Sequence, residues 1–311
     1  MLHVKGGIIM DSFIKMLNTQ LILVIYIGIG LFCSKKQIID GYTKQKLTDL
    51  ILNITLPCMT FASFNKELTA DVIHDAELCF LVALCITVLS FTCGKLLYNR
   101  FPKDKRSILQ YTTLVNNSGF LGMPMVSSVF GDDGLYFASI FIIPNRIAMW
   151  TAGISLFTHS SLKESAKKIF LNPCIIAVIL GLIRQFAGIS LPGFMDTAIS
   201  DIGDITTPLS MFIIGTMLVD LKLSSMVEPA ILWLTFIRLI ALPLIALCIL
   251  RAIGASQMLT GISMILTGMP AGSTSVLLSV KYGLDADFAS RCVVTTTLIS
   301  LITVPLMMLL I

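Results

Sequence analysis

Charged residues are scarce in this sequence. They account for 13% of its 311 residues, whereas 56% are apolar. A soluble domain carries about 25% charged residues, so a chain with so little charge is expected to lie in a membrane. Its apolar runs are mostly about 20 residues long, the length of a helix that crosses a bilayer. They do not alternate with polar residues as membrane β-strands do, so an all-α integral membrane protein is predicted.

Several functional signatures are absent. The sequence has no C-x-x-C pair, no H-E-x-x-H or G-x-S-x-G motif and no phosphate-binding loop, so we expect no metal site, no cofactor and no intramembrane enzyme. It has no basic tract with interleaved aromatic residues, so no nucleic-acid partner is expected. The eight cysteines lie in or beside apolar runs and are expected to be buried free thiols.

Ten helical spans fit into the chain, at about 17–33, 46–64, 77–98, 107–130, 134–158, 171–189, 198–219, 229–250, 256–281 and 286–310. If the N-terminus is outside, most lysines and arginines of the connections face the cytoplasm. The positive-inside rule therefore places both termini outside. The connections are short and the chain start lacks the features of a cleavable signal peptide, so the expected location is the cytoplasmic membrane of a bacterium.

Two pairs of motifs indicate an internal repeat. Residues 49–57 read DLILNITLP and residues 201–208 read DIGDITTP, while the triplet GMP stands at 122–124 and again at 268–270. The predicted repeats are residues 1–160 and 161–311, with five helices each. Because an odd number of spans makes the second copy enter the membrane from the other side, the repeats are expected to be inverted, as in many secondary transporters.

Polar residues, glycines and a proline interrupt the fourth and ninth spans, where residues 115–124 read VNNSGFLGMP and residues 267–275 read TGMPAGSTS. Proline lacks a backbone donor and clashes with the preceding helical turn. Both spans are therefore predicted to break and to restart as half-helices at Pro124 and Pro270. Free N–H groups at two half-helix starts would favour an anion; proline kinks without a ligand are the alternative.

The segment NNSGFLGMP resembles the Asn-x-Gly-Phe-x-Gly-x-Pro signature of the auxin efflux carrier family, whose bacterial members include malate and malonate permeases. Leu56-Pro57, Asn172-Pro173 and Met269-Pro270 also match, and the likeness covers essentially the whole chain. It implies ten helices in two inverted five-helix repeats, with helices 4 and 9 crossing at the membrane centre and alternating access of an elevator or rocking type. The crossover asparagine of the family falls on Asn117. The asparagine often found after the second proline is replaced by Thr274, so the substrate stays open.

The predicted substrate is a small organic anion, with carboxylates as the favoured class. Its predicted site consists of residues near both breaks and one arginine: Asn116, Asn117, Ser118, Gly119, Gly122, Pro124, Pro270, Ser273, Thr274 and Arg146. For Arg146, a structural carboxylate partner or an interfacial position is the alternative. Arg238, within the eighth span, is expected to have a structural partner.

Asp204, Asn53 and Thr206, together with Thr55, form the predicted ion-coupling site, because an ionisable group within a span suggests a function. Coupling to H+ or Na+ and uniport are all compatible with these residues. In the alternative interpretation, Asp204 and Asp201 cap the outer end of the seventh helix.

The leading hypothesis is a secondary transporter, either an efflux carrier or a permease, surrounded by membrane lipid and able to form a homodimer. A cation-coupled carrier similar to bile-acid symporters is the first alternative. A non-transporting membrane receptor on the same scaffold is the second, although the sequence contains no sizeable soluble output domain.

Overall fold

The computed structural model describes residues 2–65, 69–157, 167, 170–219 and 228–311. Over this part of the chain the structure is almost entirely helical and has no β-strand, only one isolated bridge. The all-helical class expected from the sequence is thereby confirmed. The predicted boundary between the repeats, at residues 160 and 161, lies outside the described residues.

The α-helices of the described residues, numbered in chain order, are α1 (Leu2–Lys35), α2 (Gly41–Leu50), α3 (Leu56–Ala62), α4 (Ala70–Leu97), α5 (Lys103–Leu114), α6 (Met123–Ala148), α7 (Pro173–Phe186), α8 (Gly193–Asp204), α9 (Thr206–Met217), α10 (Pro229–Phe236), α11 (Leu242–Ala252), α12 (Gln257–Thr267), α13 (Thr274–Lys281) and α14 (Ala286–Met308). Turns of π-helix occur at Ile51–Thr55, Ser118–Gly122, Met149–Gly153 and Ile237–Ala241, and a 3₁₀ turn at Ile154–Leu156. α6 consists of two helices joined at Gly131, whose φ of 64° is non-helical.

Four helical stretches of the described chain are long and apolar enough to cross a membrane: Val72–Leu97, Ser118–Leu156, Pro229–Ala252 and Ala286–Met308. Shorter apolar helices lie at Leu21–Lys35, Pro173–Phe186 and Gln257–Thr267. Several predicted spans are divided into shorter pieces; residues 198–219, for example, contain the end of α8 and all of α9. The count of ten spans stays a prediction.

Side chains that accept backbone N–H groups begin several helices. Asp40 accepts the N–H of Thr43 at 2.7 Å, which starts α2 and lowers the pKa of the Asp40 carboxyl. Asn172 accepts the N–H groups of Cys174 and Ile175 at 3.0 and 3.3 Å and starts α7. These caps satisfy donors that the first helical turn leaves without a partner.

The chain forms two compact units, and each unit combines segments from both predicted repeats. Unit 1 contains Met1–Glu77, Gly119–Ile140 and Phe170–Asp220. Unit 2 contains Leu78–Ser118, Phe141–Ile169 and Leu221–Ile311. The chain passes from unit 2 into unit 1 between Ser118 and Gly119, inside the motif that the sequence singled out.

A close contact between α1 and α9 holds unit 1 together. A Cβ atom on Gly30 would lie 2.1 Å from the carbonyl oxygen of Phe212, and one on Gly215 would lie 2.1 Å from the carbonyl oxygen of Ile27. Because real Cβ contacts are never this short, only glycine allows the two backbones to approach so closely.

Unit 2 has an apolar core with a charged cluster at one end. Tyr98, Ile108, Ile231, Leu234 and Phe288 are fully buried in that core. At the start of α10, Glu228 accepts from both Lys105 and Arg291, and the charged ends of these two residues lie over the ring of Phe288. The N-terminal ends of α5, α10 and α14 are thereby joined.

Candidate functional site

Two non-helical segments of unit 2 lie side by side. α5 ends at Leu114 and α12 ends at Thr267. The backbone is extended at Val115, directly after α5, and the segments that follow the two helices form an antiparallel bridge between Asn116 and Ala271. The N–H of Asn117 donates to the carbonyl of Pro270 at 2.8 Å, and the N–H of Gly272 donates to the carbonyl of Val115 at 3.0 Å. Backbone groups that the helices no longer pair are thus satisfied.

Pro270 does not start a helix, contrary to the expectation from the sequence. Its backbone belongs to the antiparallel contact, where its carbonyl accepts from Asn117, and α13 begins only at Thr274. Pro124 does not mark the restart of a helix either: it is the second residue of α6, but the helical stretch Ser118–Leu156 begins earlier, with the π-helical turn Ser118–Gly122. Proline's missing donor therefore has different consequences at the two motifs.

Arg238 holds the ends of both broken helices. Its side chain is only 1% exposed. Nε donates to the carbonyl of Met269 at 3.1 Å, Nη1 to the carbonyl of Thr113 at 2.8 Å and Nη2 to the carbonyl of Thr267 at 3.1 Å. These carbonyls lie at or just after helix C-termini, which leave such acceptors unpaired. Among the described residues, no carboxylate lies within salt-bridge distance of Arg238.

A small polar cavity of about 10 Å³ lies against Arg238. Its polar wall consists of side chains from α4, from both broken spans and from the region after the kink in α6: Thr87, Ser90, Asn116, Ser118, Asn145 and Thr267. Two atoms, Oδ1 of Asn116 and Oγ1 of Thr267, are buried without a hydrogen-bond partner. A cavity of this volume holds about one water molecule.

Polar side chains form a second cluster around Arg146. The hydroxyl groups of Tyr111 and Thr274 are 2.9 Å apart, and the sulfur of Met149 lies 3.9 Å from the Thr274 hydroxyl and 4.0 Å from Nη1 of Arg146. The Nε atom of Arg146 is buried and has no hydrogen-bond partner. Within the described chain, no carboxylate forms an ion pair with Arg146.

The structure therefore distributes the predicted substrate residues over separate places. Arg146 and Thr274 belong to the group around Tyr111, whereas Asn116 and Ser118 line the cavity beside Arg238. The buried Asn117 and Pro270 contact each other through their backbones, and the half-buried Ser273 precedes α13. Gly119, Gly122 and Pro124 belong to unit 1, where the Ser210 hydroxyl donates to the carbonyl of Phe120 at 3.0 Å.

The predicted ion-coupling residues all lie in unit 1, and the structure brings two of them into contact. Thr206 donates to Thr55 at 2.9 Å, and both side chains are buried. Asn53 is exposed and donates instead to the carbonyl of Asp49 at 2.7 Å. The start of α9 has no side-chain cap, so the capping role considered for Asp204 is not observed there.

Asp204 lines a cavity of about 380 Å³ in unit 1. Asp132, Asp133 and Asp196 also line it, together with Arg184, whose Nη1 lies 2.8 Å from Oδ1 of Asp196. Within the described residues, no group of three or more histidine, cysteine, aspartate or glutamate side chains is arranged to hold a metal ion.

Comparisons with known proteins agree with a transport role. The sequence model of a protein family described as membrane transport protein matches residues 15–168 and, a second time, residues 155–308. A protein of Methanothermobacter thermautotrophicus named as an uncharacterized transporter is 26% identical over 296 residues, which cover 93% of this chain and 96% of that protein. Another uncharacterized transporter, from Methanocaldococcus jannaschii, is 24% identical over 300 residues, covering 93% of this chain and 97% of that protein.

Proposed function

Because the chain belongs to the membrane transport protein family, which is the auxin efflux carrier family, we propose that it is a secondary transporter of small organic anions, with carboxylates as the substrate class. The family and the two relatives support membrane transport. The substrate class depends on the chemistry of the residues around the two non-helical segments of unit 2.

Arg146 carries the proposal. Its guanidinium is half-buried, its Nε has no acceptor, and its described contact is the sulfur of Met149. A buried donor without an acceptor costs about 1–3 kcal/mol, and more when the group is charged. A carboxylate supplies the missing acceptor and pairs with a guanidinium through two parallel hydrogen bonds. The hydroxyls of Thr274 and Tyr111 share one hydrogen bond, so one O–H of the pair would remain as a further donor to the same anion.

The proposed transport cycle places the substrate where the broken helices cross at the membrane centre, in the arrangement that the family resemblance implies. The N–H of Asn117 already donates to Pro270, so the side-chain amide of Asn117 and the start of α13 at Ser273 and Thr274 would complete the anion site, since helix starts favour negative charge. Alternating access of an elevator or rocking type would then expose this site to one side of the membrane at a time.

Substrate-induced charge movement tests the proposal. Purified protein in proteoliposomes on a solid support would be exposed in turn to malate, malonate, lactate and indole-acetate. Arg146→Gln should reduce the response to a transported carboxylate by roughly 10–100-fold, because a hydrogen bond to a charged group contributes about 1.5–3 kcal/mol. Arg251→Gln is the control, since it removes the same charge from an exposed position at the end of α11. An unchanged carboxylate response in Arg146→Gln would refute this binding site.

We also propose that Asp204 binds the coupling cation, either H+ or Na+. Its carboxylate lines the unit 1 cavity together with three other aspartates and one arginine that is already paired with Asp196. Asp204→Asn should abolish the dependence of the carboxylate response on pH or sodium. Asp201→Asn, on the same helix but not on the cavity wall, should retain it. Cation dependence that persists in Asp204→Asn would contradict the assignment, and a wild-type response independent of both cations would indicate uniport.

The proposed location is the cytoplasmic membrane, with both termini outside. The proposed assembly is a homodimer. The orientation depends on the excess of lysine and arginine in the connections predicted to be cytoplasmic. Labelling of cysteines added near either terminus of the protein in intact cells would test it, because a reagent that cannot cross the membrane reacts only with external thiols.

A further inference from the structure

We propose that the cavity beside Arg238 binds one small inorganic anion of halide size, at a site separate from the organic substrate. This inference goes beyond the proposed transport function, which uses Arg146 and not Arg238. It depends on the charge, the donors and the size of the cavity in unit 2.

The positive charge of Arg238 favours an anion in the cavity beside it. An arginine stays protonated in proteins, and removing a charge from water without a counter-ion costs several kcal/mol. In the described part of unit 2, Arg238 is surrounded by the carbonyls of Thr113, Thr267 and Met269 and has no carboxylate partner. These three hydrogen bonds leave two of its five N–H groups free. The positive charge is therefore held in place without being neutralised.

Hydrogen-bond donors dominate the cavity wall. Thr87, Ser90, Ser118 and Thr267 present hydroxyl groups, and the Thr267 hydroxyl is buried without a partner. The amide of Asn145 uses one N–H to reach the carbonyl of Leu114 at 2.8 Å and keeps the other.

The amide nitrogen of Asn116 donates to the carbonyl of Leu266 at 2.6 Å. The other amide atom, Oδ1, can only accept hydrogen bonds. One hydroxyl group of the cavity wall can rotate and donate a hydrogen bond to this acceptor. The other hydroxyls then remain for an anion beside the guanidinium, so the wall favours an anion over a cation.

The size of the cavity limits the occupant. Its volume of about 10 Å³ corresponds to about one water-sized group, which admits a monatomic anion and excludes a whole carboxylic acid. Its wall comes from α4, α6 and both broken spans, so an anion there would hold the ends of α5 and α12 around Arg238. A bound halide is therefore expected to stabilise the protein.

Thermal unfolding of the full chain in detergent tests the site. Sodium chloride or bromide would replace sodium methanesulfonate stepwise at constant ionic strength, so that no carboxylate is present. We expect the Tm to rise saturably by roughly 5 °C, since a ligand that binds only the folded protein shifts the equilibrium by mass action. Bromide in a crystal would show one anomalous scattering peak beside Arg238.

Thr267→Val is the informative variant, because it removes one hydroxyl from the wall and keeps the side-chain shape. It should reduce the halide-dependent rise in Tm at least by half. The matched control is Thr297→Val, whose buried hydroxyl bonds to the carbonyl of Val293 within α14 and does not line the cavity. Replacing Arg238 itself would also remove the donors to three buried carbonyls, so a change in Tm in that variant would not report on halide binding alone.

Three results would overturn the proposal. The absence of a halide-dependent rise in the wild type means that the cavity holds water only. An equal rise in Thr267→Val and in the wild type means that the halide binds elsewhere. Loss of the rise when malate or malonate is added means that the cavity belongs to the organic-anion site. None of these readouts needs transport, so failure of this site and failure of the transport proposal are distinguishable.

Discussion

Two buried arginines, one in each unit, have opposite surroundings. Arg184 in unit 1 is 5% exposed and forms two 2.8 Å contacts with the carboxylate of Asp196, while its Nη2 also donates to Asn65. Arg238 in unit 2 is 1% exposed and is held by backbone carbonyls alone among the described residues. The first charge is neutralised within the protein. The second is held by backbone carbonyls without being neutralised.

The partners also differ in their access to water. The Asp196 side chain is 32% exposed, so it can be rehydrated if its arginine is lost. The residues that supply the carbonyls around Arg238 are buried, so these carbonyls cannot regain bulk water if Arg238 is lost. Buried groups left unsatisfied cost much more than groups that regain water.

The largest expected effect is therefore the difference between Arg238→Met and Arg184→Met. Arg238→Met leaves three carbonyls without donors and should lower the free energy of unfolding by about 3–5 kcal/mol, as for a broken buried polar network. Arg184→Met should lower it by about 1–2 kcal/mol. Chemical unfolding in detergent, followed by circular dichroism, measures both. Equal losses in the two variants would remove the distinction between the two arginines.

The two units also differ in their helix contacts. In unit 1, helices contact each other at glycines, whereas in unit 2 a polar network joins them. Gly30→Ala should lower the free energy of unfolding by about 1–3 kcal/mol, because its methyl group would collide with the Phe212 carbonyl. Gly28→Ala is the neighbouring control, because a Cβ there has no atom within 4 Å. It should be neutral or stabilise the helix by about 0.5–1 kcal/mol. A stable Gly30→Ala variant would show that α1 and α9 are not in close contact.

The smallest expected effect concerns two helix caps, one in each unit. Asn172 accepts two N–H groups at the start of α7, whereas Ser256 accepts one, from Leu259 at 3.2 Å, at the start of α12. Asn172→Ala should cost about 1 kcal/mol and Ser256→Ala about 0.5 kcal/mol. The midpoints of thermal unfolding rank the two variants. The reverse order would mean that the number of accepted N–H groups does not decide the strength of these caps.

Helical class and family could be predicted from the sequence, because both depend on patterns that are local or span the whole chain. The scarcity of charge and the length of the apolar runs indicate membrane helices. The motif at residues 116–124 resembles the family's signature, and the family model matches residues 15–168 and 155–308. Proline and glycine act on their own backbone, so an interruption could be predicted in both spans, but the helices restart at Ser118 and Thr274 and not at the prolines.

Contacts between distant residues could not be predicted in this way. The carbonyl partners of Arg238 are Thr113, Thr267 and Met269, and one of them comes from the other predicted repeat. Nothing in the run around residue 238 indicates them. The sequence predicts Pro270 at a helix start because proline suits that position, but its carbonyl accepts from Asn117 in a non-helical segment. A lone arginine in an apolar span without a nearby acidic residue is the signal that could have pointed to Arg238.

Counterflow of a radiolabelled carboxylate into proteoliposomes tests the central claim most directly, because it detects exchange whether or not the transport moves net charge. We expect the label to accumulate in proteoliposomes loaded with unlabelled substrate, both for the wild type and for Arg251→Gln. Initial uptake should be at least tenfold lower in Arg146→Gln. Absence of accumulation for every carboxylate tested, or full accumulation in Arg146→Gln, would contradict it.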